Sequence, residues 1–198
     1  MKKFLVGVAC LVTAFGLQAQ LAPNSVLTAT NGVTYFYQYT PPHYNDNNTD
    51  LFPLIISLHG VGQSGPTTGE GIDNVITDGI PLLVKEGNQL EFTWQGKTEG
   101  FVMLVPQTDA GNVLDWPTHY VDEMIDYGIN HLRADPNRIF LTGFSTGGGG
   151  VWKYATSSAA AASKLAGIVP AATASTPGPI PQSGYCNIAA SKVAVWGF

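Results

Sequence analysis

The stretch IFLTGFSTGGGG, residues 139–150, holds one serine between two glycines at the end of an apolar run. The apolar residues predict a buried strand. The residues from Gly147 to Ala162 predict a helix with a glycine-rich start and an alanine-rich end. Ser145 would then stand at the turn from strand to helix. Such a turn forces its serine into a strained backbone conformation, so Ser145 is a candidate nucleophile.

The neighbours of Ser145 are as small as this turn requires. Helix and strand cross closely there, so the positions two before and two after the serine must be small, and Gly143 and Gly147 satisfy this. The helix N-terminus also places the positive end of its dipole beside the serine. With 23 glycines in the chain, the pattern alone is weak. The alternative is a glycine-rich turn with a solvent-facing serine, and the strand-to-helix context favours the nucleophile.

Apolar runs that alternate with helical patterns predict an α/β fold along the whole chain. Strands that are apolar throughout are typical of a mostly parallel sheet with helices on both faces. Residues 20–31 are predicted as a polar leader, and residues 175–184 as a loop rich in proline and glycine. Strands are predicted at residues 32–42, 54–58, 101–107, 138–143, 165–171 and 192–198, and helices at 74–86 (short or broken at Pro81), 119–132 and 147–162.

The first residues predict the compartment. MKKFLVGVACLVTAFGLQAQ has two lysines, an apolar stretch and then small and polar residues. This pattern predicts a secretory signal peptide over residues 1–19 and a single domain over residues 20–198. The apolar stretch is short for a transmembrane helix, and a lipoprotein anchored through Cys10 is a weaker alternative. We therefore expect a secreted or periplasmic protein without a membrane span.

Composition bears on the possible partners. The net charge is −5 with a pI of about 5.1, and the chain has no basic run, so nucleic acid is not expected as a partner. Charged residues make up 12% of the chain, against about 25% in an average protein. Cys186 would remain alone after loss of a signal peptide, which suggests a missing partner or a free thiol, and the alternative is a simply buried side chain. The sequence does not indicate an oligomeric state.

The segment LHGVGQSG, residues 58–65, comes directly after the second predicted strand. Acyl transfer needs N–H donors for the oxyanion that develops on the substrate. The N–H of Thr146, after the candidate nucleophile, is one donor, and Val61 is the best second donor, with Gly60 and Gly62 close behind. His59 is predicted to brace this loop by hydrogen bonds, because a catalytic base is expected later in the chain.

The segments PLIISLHGVGQSG and DPNRIFLTGFSTGGGG together resemble the secreted α/β-hydrolase esterases of the polyhydroxybutyrate depolymerase and feruloyl/acetylxylan esterase group. They are less closely similar to the dienelactone hydrolase and phospholipase/carboxylesterase groups. The resemblance covers about residues 32–198. It implies an α/β-hydrolase fold, Ser145 as nucleophile, and Val61 and Thr146 as oxyanion donors. It also implies serine carboxylic-ester hydrolysis through an acyl-enzyme, without metal or cofactor, on polysaccharide-linked acetyl or feruloyl esters or on a polyester.

The resemblance also implies an acid and a histidine after Ser145, and residues 146–198 contain no Asp, Glu or His. The favoured hypothesis is that the chain is a fragment of a longer esterase, truncated before the last strand of its sheet. A second hypothesis is a non-catalytic relative that binds a glycan or polymer, and a third is a rearranged triad built from upstream residues. As given, the chain is expected to have little or no activity, because loss of triad members costs about 10⁴- to 10⁶-fold in rate. The upstream candidates are His43, His59, His119 and His131, with Asp109 or Asp115 as the acid.

Trp116 is the candidate for substrate contact. It falls in the predicted loop after the second central strand, and loops at the carboxyl ends of parallel strands hold the ligand in such folds. The alternative is a tryptophan that only caps the surface. Trp152 and Tyr154 follow the nucleophile on its helix and are predicted in the core.

Overall fold

Strands and helices alternate along the chain in a computed structural model that describes residues 20–25, 35–66, 68–109, 111, 114–174 and 180–198. The strands are β1 (Gln20–Ser25), β2 (Tyr35–Thr40), β3 (Phe52–Leu58), β4 (Glu91–Trp94), β5 (Lys97–Gly100), β6 (Val102–Pro106), β7 (Ala134–Phe144), β8 (Gly167–Ala171) and β9 (Ala194–Val195). The helices are a 3₁₀ helix (Ile72–Ile76), α1 (Gly79–Lys85), α2 (Thr118–His131), α3 (Thr146–Ser157), α4 (Ala159–Ser163) and α5 (Gln182–Ala190).

Seven of the described strands form one sheet in the order β1-β2-β6-β3-β7-β8-β9. Strands β6, β3, β7, β8 and β9 are parallel to one another, and β1 and β2 pair antiparallel at one edge. The predicted mostly parallel α/β architecture is therefore confirmed. Every residue of β3 and β6 is buried, as expected for strands that are covered on both faces.

The core has two layers, one on each face of the sheet. Because side chains alternate along a strand, Leu54 and Ile56 of β3 face one layer and Ile55 faces the other. The first layer holds buried residues of α2, α3, α4 and α5, and the second holds residues of the 3₁₀ helix and α1. Helix α3, which begins directly after the candidate nucleophile, and helix α1 thus lie on opposite faces of one sheet.

Several elements differ from the predicted ones. The segment predicted as a polar leader contains β1, which pairs with the edge strand β2. The hairpin of β4 and β5 was not predicted, and α5 begins inside the predicted Pro/Gly loop, directly after Pro181. The predicted helix at 147–162 is divided between α3 and α4, because Ser158 adopts an extended conformation and caps α4 through a hydrogen bond from the Ala161 N–H.

The ends of the chain also differ in part from expectation. The predicted signal peptide at residues 1–19 lies outside the described residues. The last predicted strand shortens to the two residues of β9. Cys186 is an exposed free thiol on α5, so the alternative of a buried cysteine is wrong. No helix within the described ranges is long and apolar enough to cross a membrane.

Candidate active site

Ser145 occupies the junction between β7 and α3 with φ 56° and ψ −115°. A non-glycine residue in such a sparsely populated conformation costs about 1–3 kcal/mol, so the surroundings must hold it there. Here the Ser145 N–H donates to the Ala171 carbonyl at 3.0 Å, and the Ser145 carbonyl accepts from Gly149 at 3.2 Å and from Ala174 at 3.0 Å. These three backbone hydrogen bonds hold the strained turn.

The two flanking glycines lie where no side chain would fit. A Cβ atom on Gly147 would lie 2.1 Å from the Leu58 carbonyl oxygen at the end of β3. A Cβ atom on Gly143 would lie 2.5 Å from the Gly147 carbonyl. Helix α3 therefore starts in direct contact with β7 and β3, which is the close approach for which the sequence pattern required small residues.

The loop after β3 comes back to Ser145. The Cβ position of Gly60 lies 3.5 Å from the Ser145 Cβ atom. A cavity of about 210 Å³ opens between the loop and the serine. Ser145 and the predicted loop residues are thus brought together at the carboxyl ends of β3 and β7. The cavity is lined by Gly60, Val61, Gly62, Gln63, Thr77, Asp78, Phe144 and Ser145.

Backbone N–H groups at and beside this cavity are the candidate donors to a ligand. The Gly60 N–H is occupied, because it donates to the Gln63 side-chain oxygen at 2.8 Å. Among the described residues, the N–H groups of Val61 and Thr146 donate to no acceptor. Val61 is 56% exposed, and Thr146 is the first residue of α3, where the N–H groups have no partner within the helix. The geometry is compatible with both predicted oxyanion donors.

His59 braces this loop from within the protein. It is 5% exposed, and its Nδ1–H donates to the Gly60 carbonyl at 2.8 Å. Its Nε2 atom then accepts from the Thr108 N–H at 3.1 Å. Burial lowers the pKa of His59 to about 4, while the hydrogen bond to Gly60 opposes this shift. The neutral ring has both nitrogens engaged, so it is not placed to take a proton from Ser145.

Trp116 lies beneath the loop and not in the cavity. Its side chain is 3% exposed, its ring centroid is 4.7 Å from that of His59, and its Nε1–H donates to the His59 carbonyl at 3.2 Å. A Cβ atom on Gly150 would lie 2.6 Å from the Trp116 Cβ atom. The structure thus places Trp116 in the core as a support for the loop, where a substrate does not reach it.

The other upstream histidines lie apart from Ser145. His43 contacts Asp46 and Glu91 near the β4 strand. The rings of His119 and His131 contact neighbouring tyrosines of α2. No histidine is among the described residues that line the cavity around Ser145, so the structure does not assemble the rearranged triad.

The two candidate acids have other partners. Asp109 accepts a hydrogen bond from the Tyr120 hydroxyl at 2.9 Å. Asp115 forms an ion pair with Lys153 of α3 at 2.7 Å. Neither residue lines the cavity with Ser145 in the described part of the chain. Their carboxylates connect Asp109 to α2 and Asp115 to α3.

Asp78 is the carboxylate that does line the cavity, and the sequence pattern did not single it out. It precedes α1 as the N-cap residue, yet its side chain makes no capping hydrogen bond. Burial raises the pKa of the Asp78 carboxyl, and a hydrogen bond from Gln63 lowers it in part. The residue is far from Ser145 in the chain, and only the packing of the 3₁₀ helix and α1 beside the loop brings it there.

A second cavity of about 440 Å³ adjoins the first and shares Asp78 and Phe144 with it. It lies between β3, β7 and β8 on one side and the start of α1 on the other. Most of its lining is apolar. The other lining residues are Ser57, Leu58, His59, Val75, Gly79, Ile80, Pro81, Thr142, Gly143, Val169, Ala171 and Phe198.

The described residues include no group of three or more His, Cys, Asp or Glu side chains that could hold a metal ion. The polar groups that line the cavity around Ser145 are instead backbone N–H groups, the amide of Gln63, the hydroxyl of Thr77 and the carboxylate of Asp78. Such a set suits the binding of a polarised carbonyl more than the coordination of a cation.

Solved structures with the same fold include several esterases. A mutant of the feruloyl esterase module from Clostridium thermocellum, complexed with sinapinate, is 14% identical with a TM-score of 0.60, and the match covers 91% of this chain and 66% of that one. S-formylglutathione hydrolase from Staphylococcus aureus is 17% identical with a TM-score of 0.56, over 80% of this chain and 60% of that one. A putative dienelactone hydrolase from Klebsiella pneumoniae is 14% identical with a TM-score of 0.51, over 91% and 85%.

The chain has the α/β-hydrolase fold that these structures share. It spans 58–61% of the length of three of these similar structures, a ferulic acid esterase and two staphylococcal hydrolases. No protein-family model matches the chain, and no curated protein matches it. Identities of 14–18% show the fold alone.

Proposed function

We propose that the protein is a serine carboxylic-ester hydrolase and that Ser145 is its nucleophile. One observation carries the proposal: Ser145 is held with φ 56° and ψ −115° in a cavity that also presents free loop N–H groups. Strained conformations persist where the surrounding structure enforces them, and they cluster at active sites. A binding protein would have no need for this strain, so the non-catalytic alternative is not favoured.

The arrangement provides half of the chemistry of ester cleavage. The Ser145 hydroxyl oxygen attacks the ester carbonyl carbon and gives its proton to a base, and the carbonyl oxygen becomes an oxyanion. The N–H groups of Val61 and Thr146 would stabilise this charge. The alcohol then leaves with a proton, and a water molecule cleaves the acyl-enzyme to release the acid and restore Ser145.

The base is the part that the described cavity does not supply. Without a histidine beside Ser145, the proton must pass to solvent, and the rate should be about 10⁴- to 10⁶-fold below that of an ordinary esterase. The chain as given is therefore expected to be nearly inactive. Covalent modification of Ser145 by a reactive probe is therefore a better test than turnover of an ester substrate.

The substrate is proposed to be a polysaccharide-linked acetyl or feruloyl ester or a polyester, met outside the cell or in the periplasm. The low content of charged residues and the signal-like first 19 residues motivate the location. The Asp78 carboxylate in the cavity wall supports a neutral or hydroxyl-bearing substrate, because it would repel an anionic group placed close to the ester.

Covalent labelling with a fluorophosphonate probe tests the proposal. We expect slow modification of a single residue, located at Ser145 by peptide mass spectrometry. The variant Ser145→Ala should not be labelled, and the control Ser183→Ala, which changes an exposed serine of α5, should be labelled like the unsubstituted protein. Equal labelling of the Ser145→Ala variant, or no labelling of the folded unsubstituted protein after prolonged exposure, would overturn the proposal.

A further inference from the structure

The loop after β3 lines the cavity at Ser145 with the residues from Gly60 to Gln63, and the Gly60 N–H is the one among them with an acceptor within the described residues. A Cβ atom on Gly60 would lie 3.5 Å from the Ser145 Cβ atom. The Gly60 N–H group is taken by the side-chain oxygen of Gln63 at 2.8 Å. The next N–H, that of Val61, has no acceptor within the described residues. Gln63 thus engages the Gly60 N–H and does not engage the Val61 N–H.

Gln63 is fixed at its other end by the 3₁₀ helix region. Its side-chain nitrogen donates to the Asn74 carbonyl at 2.6 Å and to the Thr77 hydroxyl at 3.0 Å. Thr77 in turn donates to the Asn74 carbonyl at 2.7 Å. Gln63 is 8% exposed, so water does not readily replace these partners. A fully satisfied buried amide is rigid and specifies a single arrangement of the groups around it.

The backbone of Gln63 is held as well. Its carbonyl accepts from the side-chain nitrogen of Gln107 at 2.9 Å, and the same nitrogen donates to the Gly71 carbonyl at 3.1 Å. Gly62, with φ 88°, supplies the left-handed turn that lets the loop fold back so that Gln63 reaches Gly60. The side chain therefore closes a small ring within the loop and connects this ring to the rest of the protein.

We infer that Gln63 is the positioning residue of the oxyanion loop: by occupying the Gly60 N–H, it orients the peptide so that the Val61 N–H faces the space beside Ser145. The catalytic part of this inference rests on the proposed function. The structural part, which is the Gly60–Gln63 hydrogen bond and the free Val61 N–H, is independent of that function. Gln63 touches no reacting atom, and it acts through the loop.

Amide hydrogen exchange measured by NMR on the full chain tests the structural content. In the unsubstituted protein, the Gly60 amide should exchange at least about tenfold more slowly than the Val61 amide. The variant Gln63→Met keeps the volume and removes the acceptor, so Gly60 protection should fall by at least about tenfold. Gln63→Glu retains an acceptor oxygen for the Gly60 N–H but loses the donors to Asn74 and Thr77, so it should restore only a part of the protection.

Thr156→Val is the control for the loss of a buried polar group. Thr156 is 9% exposed, and its hydroxyl donates to the Trp152 carbonyl at 2.7 Å on α3, outside the loop after β3. The substitution leaves the acceptor of the Gly60 N–H and the partners of Gln63 in place, so Gly60 protection should change by less than about threefold. If Gln63→Met does not fold, Thr77→Val removes one partner of the Gln63 amide and should lower Gly60 protection by about threefold.

The rate of fluorophosphonate labelling tests the catalytic meaning. Gln63→Met should lower the maximal labelling rate of Ser145 by at least about tenfold while half-saturation by the probe changes little, because the lost donor acts on the transition state. Gln63→Glu should recover part of this rate, and Thr156→Val should keep it.

Each outcome supports or overturns the inference. Unchanged Gly60 protection in Gln63→Met overturns it, whatever the reactivity. Lost protection together with an unchanged labelling rate also overturns it, because the loop would then not need Gln63 to present its donor. If the unsubstituted protein is not labelled, the proposed function fails, and the exchange comparison still decides whether Gln63 orients the loop.

Discussion

Acidification should destabilise the protein through His59. In the folded state, burial lowers the pKa of His59 from 6.5 to about 4. The unfolded chain therefore binds a proton at pH values where the folded ring stays neutral, and stability falls as the pH falls from about 6.5 to about 4. The two proton affinities differ by a factor of about 300, which corresponds to about 3 kcal/mol at pH 4. This loss is a large part of the about 5–15 kcal/mol that holds a typical domain folded.

Urea denaturation followed by circular dichroism from pH 7.5 to pH 4 measures this effect. Carboxylates also titrate in this range, so the variant His59→Gln serves to isolate the ring. Its amide oxygen can still accept from the Thr108 N–H, but it does not titrate. We expect the variant to be less stable at pH 7, because it loses the ring contact with Trp116, and to lose about 3 kcal/mol less on acidification to pH 4.

The variant His131→Gln removes an exposed histidine at the end of α2 and should keep the pH dependence of the unsubstituted protein. If the unsubstituted protein and His59→Gln lose the same stability between pH 7 and pH 4, the ring is not buried and engaged as the structure shows. The interpretation that His59 braces the loop and does not act as a base would then also be wrong.

Four further substitutions test the geometry around Ser145. Gly147→Ala should lower the free energy of unfolding by at least about 3 kcal/mol, because its Cβ atom would lie 2.1 Å from a backbone oxygen. Gly60→Ala, whose Cβ atom would have contacts at 3.5 Å, should lower it by less than about 1 kcal/mol. Equal melting temperatures of the two variants would contradict this. Ser145→Gly should raise the free energy of unfolding by about 1 kcal/mol while it abolishes labelling, since glycine tolerates the positive φ, and a destabilised variant would argue against strain. Asp78→Asn should raise stability at pH 7 by less than about 1 kcal/mol. Because burial raises the pKa of the Asp78 carboxyl, this gain in stability should shrink as the pH falls. A gain that grows on acidification would show that the folded protein does not raise this pKa.

Much of the fold could be predicted because it depends on local patterns. Continuous apolar runs mark β3, β6 and β7 as buried parallel strands, and the spacing of apolar residues marks α2. The turn at Ser145 is equally local, since two glycines at fixed spacing and a strand-to-helix junction are visible in twelve residues. The elements that were missed have no such signal. Strand β1 carries no apolar alternation and exists because the edge of β2 offers it hydrogen-bond partners.

The sequence by itself determined the kind of sheet, the position of the candidate nucleophile and the loop that faces it, because each of these rests on neighbouring residues and on the period of their side chains. Only the tertiary structure decided the surroundings of that serine. It placed Asp78 in the cavity, Trp116 in the core, and Gln63 on the Gly60 N–H. These placements depend on how the 3₁₀ helix, α1 and the loops pack around the carboxyl ends of the strands. Contacts between residues distant in the chain are set by the closing of the whole core, and no local pattern encodes them.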